Sequence, residues 1–369
     1  MASVVDTLGQ ELESVDREYA KDFAGQSRLT RDVTQLDRML ARVNSVVERI
    51  DQIPGAARGP DLGRLRELAL QNLEIYKTER KAIERAQQLG PSFEQFSHEA
   101  TTANLVFARY MRHFAGKDRA TRDLSLLGEL VDELKQIDKR MTQLIEESKN
   151  TDFGRDREVV RNNLAQYQSE IGLIEKAQAN GTPEEQASVL ATLANEQFSV
   201  YQAHFAGEPR VSRRPALLMR VIGALKRVRD QMKALQERGL SVEFNTKNLA
   251  IVEDRLRVYE TELVEIRKIR QQTAMPEIMA ELGGSANKLF DEYRTGFADK
   301  PRNVADVALL GRICDKLCEI RRQMSEMSWA EDNDMNTKNL DIVTEQLVMF
   351  EGEYEAVARA QTQGASATR

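Results

Sequence analysis

The sequence predicts an all-α protein: four tandem three-helix-bundle repeats of about 91 residues, twelve helices in all. Three observations carry this. One block recurs four times. Tyr19 opens YAKDFAGQSRLTRD, Tyr110 opens YMRHFAGKDRATRD, Tyr201 opens YQAHFAGEPRVSRR and Tyr293 opens YRTGFADKPRNVAD, at spacings of 91, 91 and 92. Between the blocks, apolar residues return at alternating intervals of three and four, which lines one face of a helix. No segment shows the period-two alternation of a strand.

The second repeat shows the elements in order. Its first helix places Phe93, Phe96, Ala100, Ala103, Phe107, Tyr110 and Phe114 on one seam and stops at Gly116, a residue that accepts the left-handed conformation after a helix end. Thr121 is the expected cap of the second helix, with Asp123 in the first turn, where the helix dipole favours an acid. Leu127, Leu130, Leu134, Ile137, Met141, Leu144 and Ile145 carry that helix. The third helix sets Leu164, Tyr167, Ile171 and Ile174 on a seam and ends before Asn180-Gly181-Thr182-Pro183. In repeat three the third helix reads Leu249, Val252, Leu256, Tyr259, Leu263, Ile266. In repeat four it reads Leu340, Val343, Leu347, Phe350, Tyr354, Val357. Repeat one departs at Arg80, a charged residue on the seam, which suits a terminal unit with one free side.

Helices are therefore expected near 2–24, 29–53, 61–88, 92–115, 121–149, 155–179, 183–206, 213–238, 243–271, 276–298, 304–327 and 335–361. The repeats span 1–89, 90–180, 181–273 and 274–361, and 362–369 is expected to be a disordered tail. Whether the repeats join end to end or stack side by side is left open. The plan is spectrin-like only in architecture.

A polar set recurs with the blocks. It comprises Tyr19, Tyr110, Tyr201 and Tyr293; Arg28, Arg119, Arg210 and Arg302; an Asn-Leu mark at Asn72, Asn163, Asn248 and Asn339; and, twelve residues on, Glu84, Glu175, Glu260 and Glu351. The Tyr-to-Asn distance is 53 in repeats one and two but 47 and 46 in repeats three and four, which suggests two nested duplications and a longer second turn in the first pair. Each loop arginine is expected to pair with its own repeat's glutamate: Arg28–Glu84, Arg119–Glu175, Arg210–Glu260 and Arg302–Glu351. The Asn, next to a seam residue, is expected to be partly buried and to set register.

An alternative reading gives the loops a ligand. Arg28, Arg31, Arg119, Arg122, Arg210 and Arg213 stand beside helix N-termini, where backbone N–H groups and the dipole could join them on a phosphate or carboxylate. The structural reading carries more weight, because an anion site does not require a glutamate in every copy.

Composition narrows the function classes. A net charge of −6, with both signs interspersed, gives no basic face for nucleic acid. No run is long and apolar enough to span a membrane, and the first residues do not form a signal peptide. Two cysteines exclude a disulfide framework and point to a reducing, cytoplasmic setting. Cys314 aligns with core positions and Cys318 with a flank. His113 and His204 are equivalent; repeat one has Asp22 there and repeat four Gly296, which suggests a surface site. His98 has no counterpart. None of these makes a metal constellation, and no cofactor motif is present. The acidic run Glu331–Asp334 lacks the glycine and closing glutamate of a calcium loop. The expectation is a non-enzymatic scaffold or adaptor for protein partners, with homo-oligomerisation open and specificity in the Met-rich stretch Met324–Met335.

Overall fold

A computed structural model describes residues 4–54, 59–148, 153–240, 242–297, 302, 305–328 and 334–367; side chains are described over the same ranges except 242, 328, 334–336 and 362–367. Its helices are α1 (Val4–Asp22), α2 (Val33–Gln52), α3 (Pro60–Leu89), α4 (Pro91–Phe114), α5 (Leu124–Ser148), α6 (Gly154–Ala179), α7 (Pro183–His204), α8 (Pro215–Glu237), α9 (Val242–Gln272), α10 (Met275–Phe297), α11 (Val307–Ser328) and α12 (Asp334–Ala367). No strand occurs among the described residues.

Second helices start later than expected because the arginine-bearing loop is an irregular turn closed by the next residue's cap. Asp32 accepts from the Thr34 amide at 2.8 Å, Asp123 from Ser125 at 2.8 Å and Asp306 from Leu309 at 2.9 Å. The cap of α5 is thus Asp123 and not Thr121, which lies in a 3-10 turn over Arg119–Thr121. Gly116, with φ of 73°, follows α4 as expected, and Gly25 and Gly207 repeat it at 66° and 79°. At the other end, α12 continues to Ala367, so helix stands where a disordered tail was expected; residues 368 and 369 lie outside the described residues.

The chain forms two compact units, residues 1–98 and 99–369. In the first, α1–α3 enclose Leu8, Leu12, Leu36, Met39, Val43, Leu73 and Ile83. In the second, the repeats pack side by side: α5 meets α8, and α7 meets α11. Leu105 of α4 and the loop residue Val211 join the core of the fourth repeat. Full burial of each such aliphatic side chain contributes roughly 1.5–3 kcal/mol, which offsets the entropy of ordering the bundle.

Candidate functional site

Three features of the fold gather chemistry: a clasp repeated in each bundle, an ionic junction in residues 99–369, and an apolar row on the outer side of the third helices.

The clasp begins with aromatics. Tyr19 stacks on Tyr76 with ring centroids 4.8 Å apart, Tyr110 on Tyr167 at 4.1 Å, Tyr201 on Tyr259 at 3.9 Å and Tyr293 on Phe350 at 3.9 Å. Three residues beyond each third-helix aromatic stands a glutamate that receives the loop arginine. Arg28 donates to Glu79 through Nε and Nη2, both at 2.8 Å. Arg119 Nε donates to Glu170 at 2.9 Å, Arg210 to Glu262 at 3.0 and 2.9 Å, and Arg302 to Glu353 at 2.9 and 2.8 Å. Arg31, Arg122 and Arg213 bind the same carboxylates and also donate to the loop carbonyls of Gln26, Lys117 and Glu208. In the fourth repeat that second place is Ala305, which is buried.

This corrects the expected pairs. Glu84 pairs with Arg80, Glu175 is exposed, Glu260 pairs with Lys226, and Glu351 pairs with Arg112. Register explains the difference. Asn72 and Asn163 lie four residues before Tyr76 and Tyr167, whereas Asn248 and Asn339 lie eleven before Tyr259 and Phe350. Seven residues return a helix to almost the same face, so the Asn-Leu mark slipped by one heptad between the two pairs. Measured Tyr to aromatic, all four repeats agree: 57, 57, 58 and 57. The longer second turn rested on the slip; the grouping into two pairs does not, since repeats three and four share both the slip and Asn-Thr-Lys-Asn-Leu. All four asparagines are partly buried. Asn72 donates to Asp16 at 2.8 Å, while Asn248 Nδ2 is buried with no partner.

Sequence reasoning missed two members of the clasp. One is the glutamate itself. The other stands eleven residues after the aromatic: Gln87, Gln178, Arg270 and Gln361 donate to the carbonyls of Arg31, Arg122, Arg213 and Ala305 at 2.8, 2.9, 3.0 and 2.7 Å. Aligning the third helices on their aromatics reveals both positions. It also missed Asn245, fully buried, whose amide donates to the Met232 carbonyl at 2.6 Å.

The junction in residues 99–369 centres on two glutamates, Glu319 buried and Glu129 half-buried. Glu319 of α11 accepts from Arg109 of α4 at 3.1 Å and from Arg214 of the third repeat at 2.9 Å. Glu129 of α5 pairs with Arg109 at 2.9 Å, with Arg220 of α8 at 3.1 Å, and with Arg322 of α11. Burial alone would raise Glu319, but Arg214 and Arg109 outweigh it and hold the carboxyl near about 2. Asp315 takes Arg112 at 2.8 Å and His113 at 2.9 Å. Although burial opposes it, these partners keep Asp315 well below the usual carboxylate range.

The histidine and cysteine expectations change here. His113 bonds Asp315, and His204 lies in a desolvated place where burial pulls its imidazole below the ordinary value. The position looks permissive in sequence because each copy meets a different neighbour. Asp22 accepts from Gln35 at 2.7 Å, and a side chain at Gly296 would meet Leu309. Cys318 is buried like Cys314, because α11 has neighbours beyond its own bundle. Burial pushes the Cys318 thiol up to about 12, so it is inert. His98 is half-buried. Among the described residues no cluster of three or more His, Cys, Asp or Glu could hold a metal ion, and no helix is long and apolar enough to cross a membrane. Glu331, Asp332 and Asn333 lie outside the described residues. Met324 and Met327 are core residues, not a partner surface, and Met335 lies outside the described side chains.

A cleft of about 200 Å³ opens beside His204, lined by Arg214, Lys288 and Lys316 against Glu208, Glu292 and Glu319. Three cations against three carboxylates leave no net charge to select an ion.

The third feature is a row spaced by heptads on the outer side of the third helices. In α3 it is Leu68, Ile75, Ala82 and Leu89; in α6, Val159, Gln166 and Leu173; in α9, Phe244, Ile251, Val258 and Glu265; in α12, Ile342, Met349 and Ala356. Leu68, Ile75, Leu89, Val159, Leu173, Phe244, Ile251, Val258 and Met349 are all exposed, Phe244 by 54%. Third helices therefore carry apolar residues on two faces, one in the bundle and one in solvent.

No protein-family model matches the chain, and no curated protein matches it either.

Proposed function

We propose that the protein is a non-enzymatic helical-repeat scaffold or adaptor that docks helix-bearing partner proteins. The outer heptad row carries the proposal. A solvent-facing helix position is normally polar, and isolated exposed apolar residues need no explanation. Apolar residues returning at one register position in all four third helices are a different matter. That is the pattern an amphipathic partner helix reads in a groove. The charged groups support the same reading. The loop arginines are filled by their own repeat's glutamate, which leaves little free charge for a small anion. The junction residues are committed to one another. Two buried thiols suit a reducing, cytoplasmic setting.

The test is affinity capture with the full chain, read by mass spectrometry, beside a variant carrying Ile251→Asp and Val258→Asp. Partners that bind the native chain should drop out with the variant, whose helical circular dichroism should be unchanged. Partners retained in full would remove the row from the proposal. A small molecule copurifying at the clasps would favour the anion-binding alternative.

A further inference from the structure

The outer row of α3 is the most continuous of the four. Leu68, Ile75, Ala82 and Leu89 form it without a polar interruption over 21 residues, about 32 Å of helix. Beside it run Glu67 and Glu74 in the N-terminal half and Lys81 and Arg85 in the C-terminal half, all exposed. None of these four charges has a hydrogen bond or ion pair among the described residues, although α3 elsewhere pairs its charges readily: Arg66 with Asp51 at 2.8 Å and Arg80 with Glu84 at 2.9 Å. Between Glu67 and Arg85 the face is therefore polarised, acidic then basic, around Thr78, which is itself exposed.

We infer that this face binds a second copy of the same chain, α3 against α3, antiparallel about a two-fold axis near Thr78. An isologous contact must be self-complementary, and this one is. Turning the helix end for end brings Glu74 opposite Lys81 of the second copy and leaves Glu67 about one helical turn from Arg85 of the second copy. The apolar rows meet along the same line, and the aliphatic stem of Arg85 covers the opposing row between Leu68 and Ile75. A parallel pairing would instead set acid against acid and base against base, which is destabilising. One pair of helices of this length falls short of the roughly 800 Å² per partner of a standard interface, so the dimer is reversible, with a dissociation constant of roughly micromolar order.

The inference uses the outer row as a docking face, as the scaffold reading does, but assigns the copy on α3 to self-association. Sedimentation velocity on the full chain over a wide concentration range tests it. The mean mass should rise from monomer towards dimer. Ile75→Asp should abolish the rise. Glu74→Lys and Lys81→Glu should each weaken association about tenfold or more, and the double variant should restore it, because the reversed pair again attracts. Thr78→Cys should cross-link two chains under mild oxidation while Leu68→Cys does not; a parallel dimer would cross-link at both. A chain that stays monomeric throughout, or a dimer indifferent to Ile75→Asp, would overturn the inference. So would a double variant no better than the single ones. A monomer whose partner capture still depends on Ile251 and Val258 would overturn the pairing and leave the scaffold reading standing.

Discussion

Residues 1–98 and 99–369 use one bundle plan with opposite polarity at one matched pair of positions. In the first unit Glu18 of α1 faces Arg42 of α2, and Arg49 faces Glu11, with side chains about a third or more exposed. Ninety-one residues on, the first of these pairs has its signs exchanged: Arg109 stands at the place of Glu18 and Glu133 at the place of Arg42. Arg109 then pairs with half-buried Glu129 and also with Glu319 of another repeat, which is buried like Arg109 itself. The first unit's exposed pairs are closed within the bundle and screened by water. The second unit's Arg109–Glu319 pair is shared between repeats and dry.

The largest expected effect breaks this contrast at its centre. Glu319→Ala takes one of two carboxylate partners from each of the buried Arg109 and Arg214, leaving them Glu129 and Glu326, and should cost about 3 kcal/mol. Urea unfolding of residues 99–369, followed by hydrogen exchange so that the two units are read separately, should show the loss there alone. An equal loss in residues 1–98 would mean that the two units unfold as one.

A smaller effect is expected at the clasp. Glu79→Ala leaves the buried Arg31 without its carboxylate but lets the partly exposed Arg28 turn to solvent. The expected cost is about 2–3 kcal/mol. Glu84→Ala, a helix-surface change next to Arg80, should cost less than about 0.5 kcal/mol. If Glu84→Ala proves the more damaging of the two, the corrected register fails.

Acid should also separate the units. His204 is pulled below its ordinary value of 6.5 by burial, so below that pH the unfolded chain takes up a proton that the folded chain refuses, and stability falls. Glu319, held near about 2 against an ordinary 4.5, contributes stability that is complete above 4.5 and is lost as pH falls from there towards 2. Glu133 works in the opposite sense, since burial raises it, and tempers the loss. In residues 1–98 burial likewise raises Asp16, so its folded form gains the proton first and acid does not weaken it there. Hydrogen exchange between pH 7 and 4 should therefore show residues 99–369 loosening before residues 1–98; the reverse order would contradict the assignment. The smallest effect is Arg42→Ala, an exposed pair whose removal should change stability by about 0–1 kcal/mol.

How much of this was legible beforehand depends on distance along the chain. Twelve helices, their seams and the block Tyr–Phe–Arg follow from local spacing, because a helix needs only its own residues to fix its face. The clasp was half legible. Its arginines and tyrosines recur at one interval, but its glutamate was misassigned. A heptad slip leaves a helix face nearly unchanged, so the Asn-Leu mark looked equivalent in all four copies. Only the third-helix aromatic, which must meet the first-helix tyrosine in space, fixes the register. The outer rows were present in the sequence as heptads, yet only burial shows that they face water. The junction was not legible at all. Glu129, Arg109, Arg214 and Glu319 lie up to 210 residues apart, and their individual neighbourhoods read as solvated helix faces. What brings them together is the side-by-side packing of whole bundles, and no local spacing encodes which charged face of one bundle will be dried by another.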